Sequence, residues 1–250
     1  MKLVVVSDPH LVAPGGKLFG SDPLRRLEAC IADINANNAD ADLVIFCGDL
    51  ANDCEPPAYA ALAGCLGDLA PPYRLTVGNH DDRAALIEAI PEVARSDGFI
   101  QSALDIGGTR LIVLDTLWPG NVAGTLCDRR LGWLDAQLAG AGRALLFLHH
   151  PPMAIGIPSV DDSRLAAPER LLAVINRHGN VRHVFAGHVH RLSHGNWNGV
   201  PVTTLRGTNH QTALAFSGPH KVSHEAPAYA VVLAQGDELI VHTREFPTEG

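Results

Sequence analysis

No apolar run in this 250-residue chain approaches the length needed to cross a bilayer. The opening MKLVVVSDPH carries one Lys and a short apolar run that ends in polar residues, too short for a signal segment. Cysteine is sparse. Cys30, Cys47, Cys54, Cys65 and Cys127 are scattered, odd in number and without a C-x-x-C pair. That pattern excludes a disulfide framework and a thiolate metal cluster, and it fits reduced thiols in a cytoplasmic protein. Positive charge is short too: 19 Lys and Arg face 27 Asp and Glu, a formal net charge of -8. A general binder of nucleic-acid polymers or anionic membranes would carry a basic face instead. A small anionic substrate stays open, because a bound cation overrides the local sign. Repeats, charge blocks and low-complexity linkers are all missing.

Hydrophobic residues make up 46% and charged residues 18% of the chain, enough for a sizeable core. The segments KLVVVSD, ADLVIFCGD, YRLTVGN, TRLIVLDT, RALLFLHH and VRHVFAGH read as strands buried on both faces. Helical patterns alternate with them. Asp22 is a plausible N-cap before Pro23, with Leu24, Leu27, Ile31 and Ile34 on one face. Tyr59, Leu62, Leu66 and Leu69 repeat the pattern, Asp82 opens another helix, and Leu131, Leu134 and Leu138 mark a fourth. APERLLAVINRHGN ends at Gly179, a good residue to follow a helix. From His194 onward the strand-like segments GVPVTTLRG, AYAVVLAQ and ELIVHTRE follow one another without helices, which predicts a second, more antiparallel layer. The expected class is α/β: one domain over residues 1–250, a four-layer αββα sandwich of two packed mixed sheets with helices outside.

Thirteen histidines are an unusual number, and their positions matter more than the count. Asp8 and His10 follow the first strand and Asp49 the second. Asn79 and His80 follow the third, in GNHDD. His149 and His150 follow ALLFL, and His188 and His190 close VFAGHVH. Sites in open α/β sheets form beyond the carboxyl ends of the strands, so distant segments can deliver these groups to one place. Each piece alone reads as a turn or a cap; five in this order are hard to obtain from packing. Carboxylate, imidazole and amide oxygen suit Mn, Fe or Zn rather than a thiolate cluster. Seven candidate ligands exceed one ion and match two that share a carboxylate.

The order D-x-H, GD, GNHD, H-x-P and GHxH, from Asp8 to His190, resembles the calcineurin-like metallophosphoesterase superfamily. GNHDD, HHPP and the loop GGKLFG resemble the branch of class III cyclic-nucleotide phosphodiesterases and glycerophosphodiesterases. The resemblance implies two divalent ions per chain (Mn, Fe, Zn or Co). Asp8, His10 and His190 would hold one, Asn79, His149 and His188 the other, and Asp49 would bridge them. It also implies His80 as the uncoordinated catalytic histidine, and in-line attack on a small phosphodiester by a hydroxide that the ions activate. His150 would then support the shell by a hydrogen bond.

Other residues carry two readings. Asn52 touches a substrate phosphate oxygen or is a turn residue before Asp53. His210, in a GTxHQ string resembling one in the glycerophosphodiesterase branch, lines the pocket or lies on the surface. Arg206 binds phosphate or forms a salt bridge. Asp115 is expected to flank a helix or turn, and His178, His183, His194, His220, His224 and His242 to be solvated or locally bonded. Beside the diesterase reading stand a phosphomonoesterase, a scaffold that has lost catalysis, and a metal store or sensor. The last two fit poorly, since every expected position is filled. The chain leaves open a homodimer or larger homo-oligomer, built on its apolar C-terminal strands.

Overall fold

The computed structural model describes residues 1–248. Its strands are β1 (Lys2–Val6), β2 (Leu43–Cys47), β3 (Tyr73–Thr76), β4 (Ser102–Ile106), β5 (Thr109–Leu114), β6 (Ala144–Leu148), β7 (Val181–Ala186), β8 (Ser193–Trp197), β9 (Val200–Thr204), β10 (Gln211–Thr212), β11 (Val222–Ser223), β12 (Ala228–Gln235) and β13 (Glu238–Glu245). The helices are α1 (Pro23–Asn37), α2 (Pro56–Gly67), α3 (Arg83–Ala89), α4 (Asp128–Ala139), α5 (Pro158–Asp161) and α6 (Pro168–His178). One sheet runs β13-β12-β1-β2-β3 and the other β4-β5-β6-β7-β9-β8. The second sheet has a parallel centre and two antiparallel edges, whereas the first is antiparallel on the β12 and β13 side and parallel out to its β3 edge, as expected of mixed sheets whose parallel strands must be covered on both faces.

Strand alternation assigns the layers. In β1, Leu3 and Val5 join Leu43, Ile45, Leu145, Phe147 and Phe185 in a core between the sheets. Val4 and Val6 turn the other way, onto Leu27, Ile31 and Ile34 of α1 and Tyr59 and Leu62 of α2. On the second sheet Leu146 and Leu148 meet Leu131, Leu134 and Leu138 of α4 and Leu171 and Ile175 of α6. Between the sheets the rings of Phe147 and Phe185 stack at 5.1 Å and 9°. Helix, sheet, sheet and helix therefore succeed one another as the sequence pattern predicts.

Local signals hold where the chemistry is strong. Asp22 accepts from the backbone N–H of Leu24 and Arg25, Asp82 caps α3 through Ala85, and Gly179 follows α6 at φ 65°. α2 ends at Gly67, so Leu69 is buried beyond the helix rather than on it.

The final third is a correction. It does not form one separate antiparallel layer. β8 and β9 extend the second sheet, while β12 returns to pair antiparallel with β1 and carries β13 with it. The apolar β1 has a second edge whose N–H and C=O groups must be paired, and β12 supplies the partners. β4 and β8 are edge strands with mixed burial, which no apolar run announces. Among the described residues no helix is long and apolar enough to cross a membrane, and all five cysteines are free.

Candidate metal centre and catalytic cleft

β1, β2, β3, β6 and β7 all end at one place. The loops after them carry Asp8 and His10, Asp49, Asn79 and His80, His149 and His150, and His188 and His190. The chain leaves these strands under strain. Asp8, His10, Asp49, His188 and His190 have φ of 55°, 47°, 49°, 70° and 45°. The left-handed region costs a non-glycine residue on the order of 1 kcal/mol. Such backbone is kept only where its surroundings fix it. Two glycines show how tightly they do. A Cβ on Gly78 would lie 2.1 Å from Asp49 Oδ1, and one on Gly187 would lie 2.1 Å from Ser7 Oγ.

Two clusters result. In the first, His10 Nε2 and His190 Nε2 are 3.0 Å apart, with Asp8 Oδ1 3.3 Å from His190 Nε2 and Asp49 Oδ2 3.4 Å from His10 Nε2. In the second, Asn79 Oδ1 lies 2.9 Å from His188 Nδ1 and 3.2 Å from His149 Nε2, and those two nitrogens are 3.3 Å apart. Asp49 Oδ2 is 3.3 Å from His149 Nε2, so the same carboxylate oxygen faces both clusters. His188 and His190, two residues apart, thus go to different clusters. All seven residues expected as ligands are brought together.

The donor chemistry tests whether cations fit. His190 Nδ1 donates to the carbonyl of His210 at 3.0 Å, and His149 Nδ1 to the carbonyl of Cys47 at 2.8 Å. His10 Nδ1 donates to Asn52 Oδ1 at 3.2 Å. Ser163 gives its own hydroxyl proton to the carbonyl of Val160 at 3.0 Å, so its oxygen accepts from His188 Nε2, also at 3.0 Å. In the neutral form that binds a metal, each imidazole therefore spends its one N–H on the protein and turns a lone pair inward. Those lone pairs meet carboxylate and amide oxygens with no donor among them. Acceptors crowded in this way repel one another unless a cation lies between them, and imidazole with carboxylate is a fitting set for divalent metals.

In the metal-free protein a proton on His149 fills part of that cation's role. Burial opposes ionisation of Asp8 and Asp49, but neighbouring histidines outweigh it and hold both carboxyls below their ordinary range. Burial also works against a proton on His149, yet Asp49 pulls its pKa up to about 9. Burial pushes His10 down to about 4 and His188 down to about 3, the latter helped by His149.

His80 is half-buried and lines the cleft. Its Nδ1 donates to the carbonyl of Asn52 at 2.7 Å and its backbone N–H to Asp49 Oδ1 at 2.9 Å. Asn52 also lines the cleft, but its amide is engaged: the oxygen holds His10 and the nitrogen donates to Asp53 at 2.6 Å. His210 is buried, 4.3 Å from His190 ring to ring, and also lines the cleft. His150 bonds Thr116 Oγ1 at 2.8 Å and the carbonyl of Val122 at 3.0 Å. It anchors a wall of the cleft and makes no hydrogen bond to a candidate ligand. Arg206 pairs with Glu245 at 2.7 Å. His220, expected to be merely solvated, is exposed but lines the cleft.

Sequence reasoning missed three supports. Asp81 Oδ2 accepts from Leu50 and Gly78 N–H and Oδ1 from Ala51 N–H and the Tyr59 hydroxyl, lashing the loops after β2 and β3 together. Burial, with Asp49 beside it, raises its pKa to about 6. Asp115 is fully buried and bidentate to Arg83, with both contacts at 2.6 Å. Ser163 carries no local motif at all. The adjacent acidic pair in GNHDD was the one available signal, and its second member, Asp82, drew the attention as a helix cap.

The cleft over the clusters has a volume of about 320 Å³. A larger one of about 790 Å³ runs beside α1, lined by Lys17, Asp22, Arg25, Arg26, Glu28 and neighbours. It contains none of the histidines, so the chemistry belongs to the smaller cleft.

An αββα sandwich with two histidine and carboxylate clusters at its strand ends defines a metal-dependent hydrolase fold and site. The family model for calcineurin-like phosphoesterases matches residues 1–192, and the chain belongs to that family, whose members use a dinuclear divalent metal centre. It is 40% identical to a probable cyclic nucleotide phosphodiesterase of Rhodopseudomonas palustris, over 100% of this chain and 94% of that one. It is 32% identical to a glycerophosphodiester phosphodiesterase of Enterobacter lignolyticus, over 84% and 78%. A dimetal phosphatase from Danio rerio shares the fold at a TM-score of 0.75 and 17% identity, over 98% of this chain and 96% of that one.

Proposed function

We propose that this protein hydrolyses small phosphodiesters, cyclic nucleotides or glycerophosphodiesters, with two divalent cations. The observation that carries the reading is the inward convergence of imidazole, carboxylate and amide lone pairs on both sides of Asp49. Asp8, His10 and His190 would hold one ion, Asn79, His149 and His188 the other, and Asp49 would bridge them. When bound, such ions supply a water nucleophile at neutral pH and offset charge on the phosphoryl oxygens. Mn, Fe, Zn and Co all suit this donor set.

The chain's own residues do the rest. His80 has Nδ1–H tied to the Asn52 carbonyl, so Nε2 is the ring nitrogen free to hold a proton at the leaving oxygen. Asn52 and Ser163 orient His10 and His188. At about 320 Å³ the cleft suits a small ester rather than a polymer. Its lining contains no Lys or Arg. The names of the relatives favour the diester over the phosphomonoesterase alternative. The free cysteines fit a cytoplasmic setting.

The test is hydrolysis of a chromogenic phosphodiester and its matching monoester by chelator-stripped protein refilled with Mn²⁺. Metal-dependent turnover faster on the diester is the expected result. Faster monoester turnover refutes it, and two bound ions without turnover return the scaffold reading.

A further inference from the structure

Phe19 is out of place by every local rule. It sits with Gly20 in a two-residue turn closed by Leu18 and Ser21, whose backbones exchange hydrogen bonds of 2.9 and 3.0 Å. Both turn residues have positive φ, 51° and 82°. Such turns favour Asn-Gly, and a bulky aromatic at the first position is strained. The ring is not repaid by burial, since Phe19 is 51% exposed. Instead it lies on the wall of the cleft, 4.6 Å from the His210 ring. Val122, also exposed, lines the same cleft from the loop after β5.

Resting on the phosphodiesterase reading, we infer that Phe19 determines specificity by offering its face to the nucleobase of a cyclic nucleotide. The cleft floor holds the charged and metal-binding groups, and the lining has no Lys or Arg for an anionic substituent. Beside these the lining offers the polar Ser159, Thr212 and His220, the apolar Val122 and Val160, and the ring of Phe19, its one Phe, Tyr or Trp. A planar base uses the face of that ring, and every base has a π surface to stack. A glycerol substituent gains little from it.

Phe19→Asn separates recognition from stability, because it restores the Asn-Gly pair that the turn favours while removing the ring. With Mn²⁺-loaded enzyme, kcat/KM for cyclic AMP should fall roughly tenfold, the scale of base stacking on an aromatic side chain. The value for glycerophosphoethanolamine should not change, and Tm should hold or rise. Phe19→Tyr should keep the wild-type preference. Cyclic AMP turnover untouched by Phe19→Asn overturns the inference and leaves the diesterase reading standing. So does an equal loss on both substrates with a lower Tm, which would make the ring structural. Absence of metal-dependent turnover on either substrate in the wild type overturns the diesterase reading itself.

Discussion

Replacing Ser163 by alanine removes one oxygen, the acceptor for His188 Nε2–H at 3.0 Å. Ser163 is held in this role because its proton is already committed to Val160. Without the oxygen, His188 is free to turn or to move its proton to Nδ1, the nitrogen that faces Asn79 and His149. Removing such an orienting partner costs about 10- to 100-fold in metal affinity. His188 is half-buried, so water can replace part of the lost hydrogen bond, and the lower end, about tenfold or 1.4 kcal/mol, is expected. Asn52→Ala is the mirror experiment, since Asn52 orients His10 in the other cluster. The assay is titration of chelator-stripped protein with Mn²⁺ in competition with a chromophoric chelator, resolved into two binding steps. Ser163→Ala should weaken one step, Asn52→Ala the other, and Ser163→Thr should restore affinity. If both steps weaken alike in each variant, or neither moves, the orienting argument is wrong.

His80→Ala should cut turnover by about 100-fold or more while metal analysis still finds about two ions per chain; loss of metal would make His80 structural. Asp115→Ala would remove the carboxylate that faces Arg83 and Arg130, leaving them only backbone carbonyl partners, and would strand the buried N–H groups of Ile100 and Leu117. A loss of about 3–5 kcal/mol is expected, lowering Tm by roughly 6–20 °C; a change under about 1 kcal/mol would refute the hub. For metal-stripped protein, stability should peak between the two flanks of a pH profile. His10, His188 and His183 have pKa values depressed to about 4, 3 and 4, so their contribution is present above the unfolded value near 6.5 and is lost as pH falls toward 4. His149, raised to about 9, contributes fully below 6.5 and loses that contribution as pH rises through 9. Melting scans from pH 4 to 10 in chelator check this, and a Tm flat between pH 7 and 9 would contradict the His149 assignment.

Much of this was written in local sequence. Apolar runs of about five residues bounded by Gly, Asp, Asn and His marked the central strands, because a strand buried on both faces has to be apolar throughout. Asp22 with Pro23, Asp82 and Gly179 marked helix ends, because caps answer to neighbours a few residues away. The seven candidate ligands and His80 were legible because each ends a strand and the strands end together.

What the sequence left undecided depends on groups that are far apart along the chain. Nothing in AYAVVLAQ says that its strand joins the sheet of β1 rather than that of β7; the open edge of β1 decides it, and ELIVHTRE follows by pairing with AYAVVLAQ. Asp81, Asp115 and Ser163 look like ordinary loop residues until the fold brings them against backbone N–H groups, an arginine and an imidazole. His188 and His190 announce a site by their spacing, but only left-handed backbone at both positions, enforced by packing around Gly187, sends them to opposite sides of Asp49. Residue type and strand periodicity are local quantities and can be read from one dimension. Which lone pair meets which, and what holds it there, is set by contacts that exist only once the two sheets have packed.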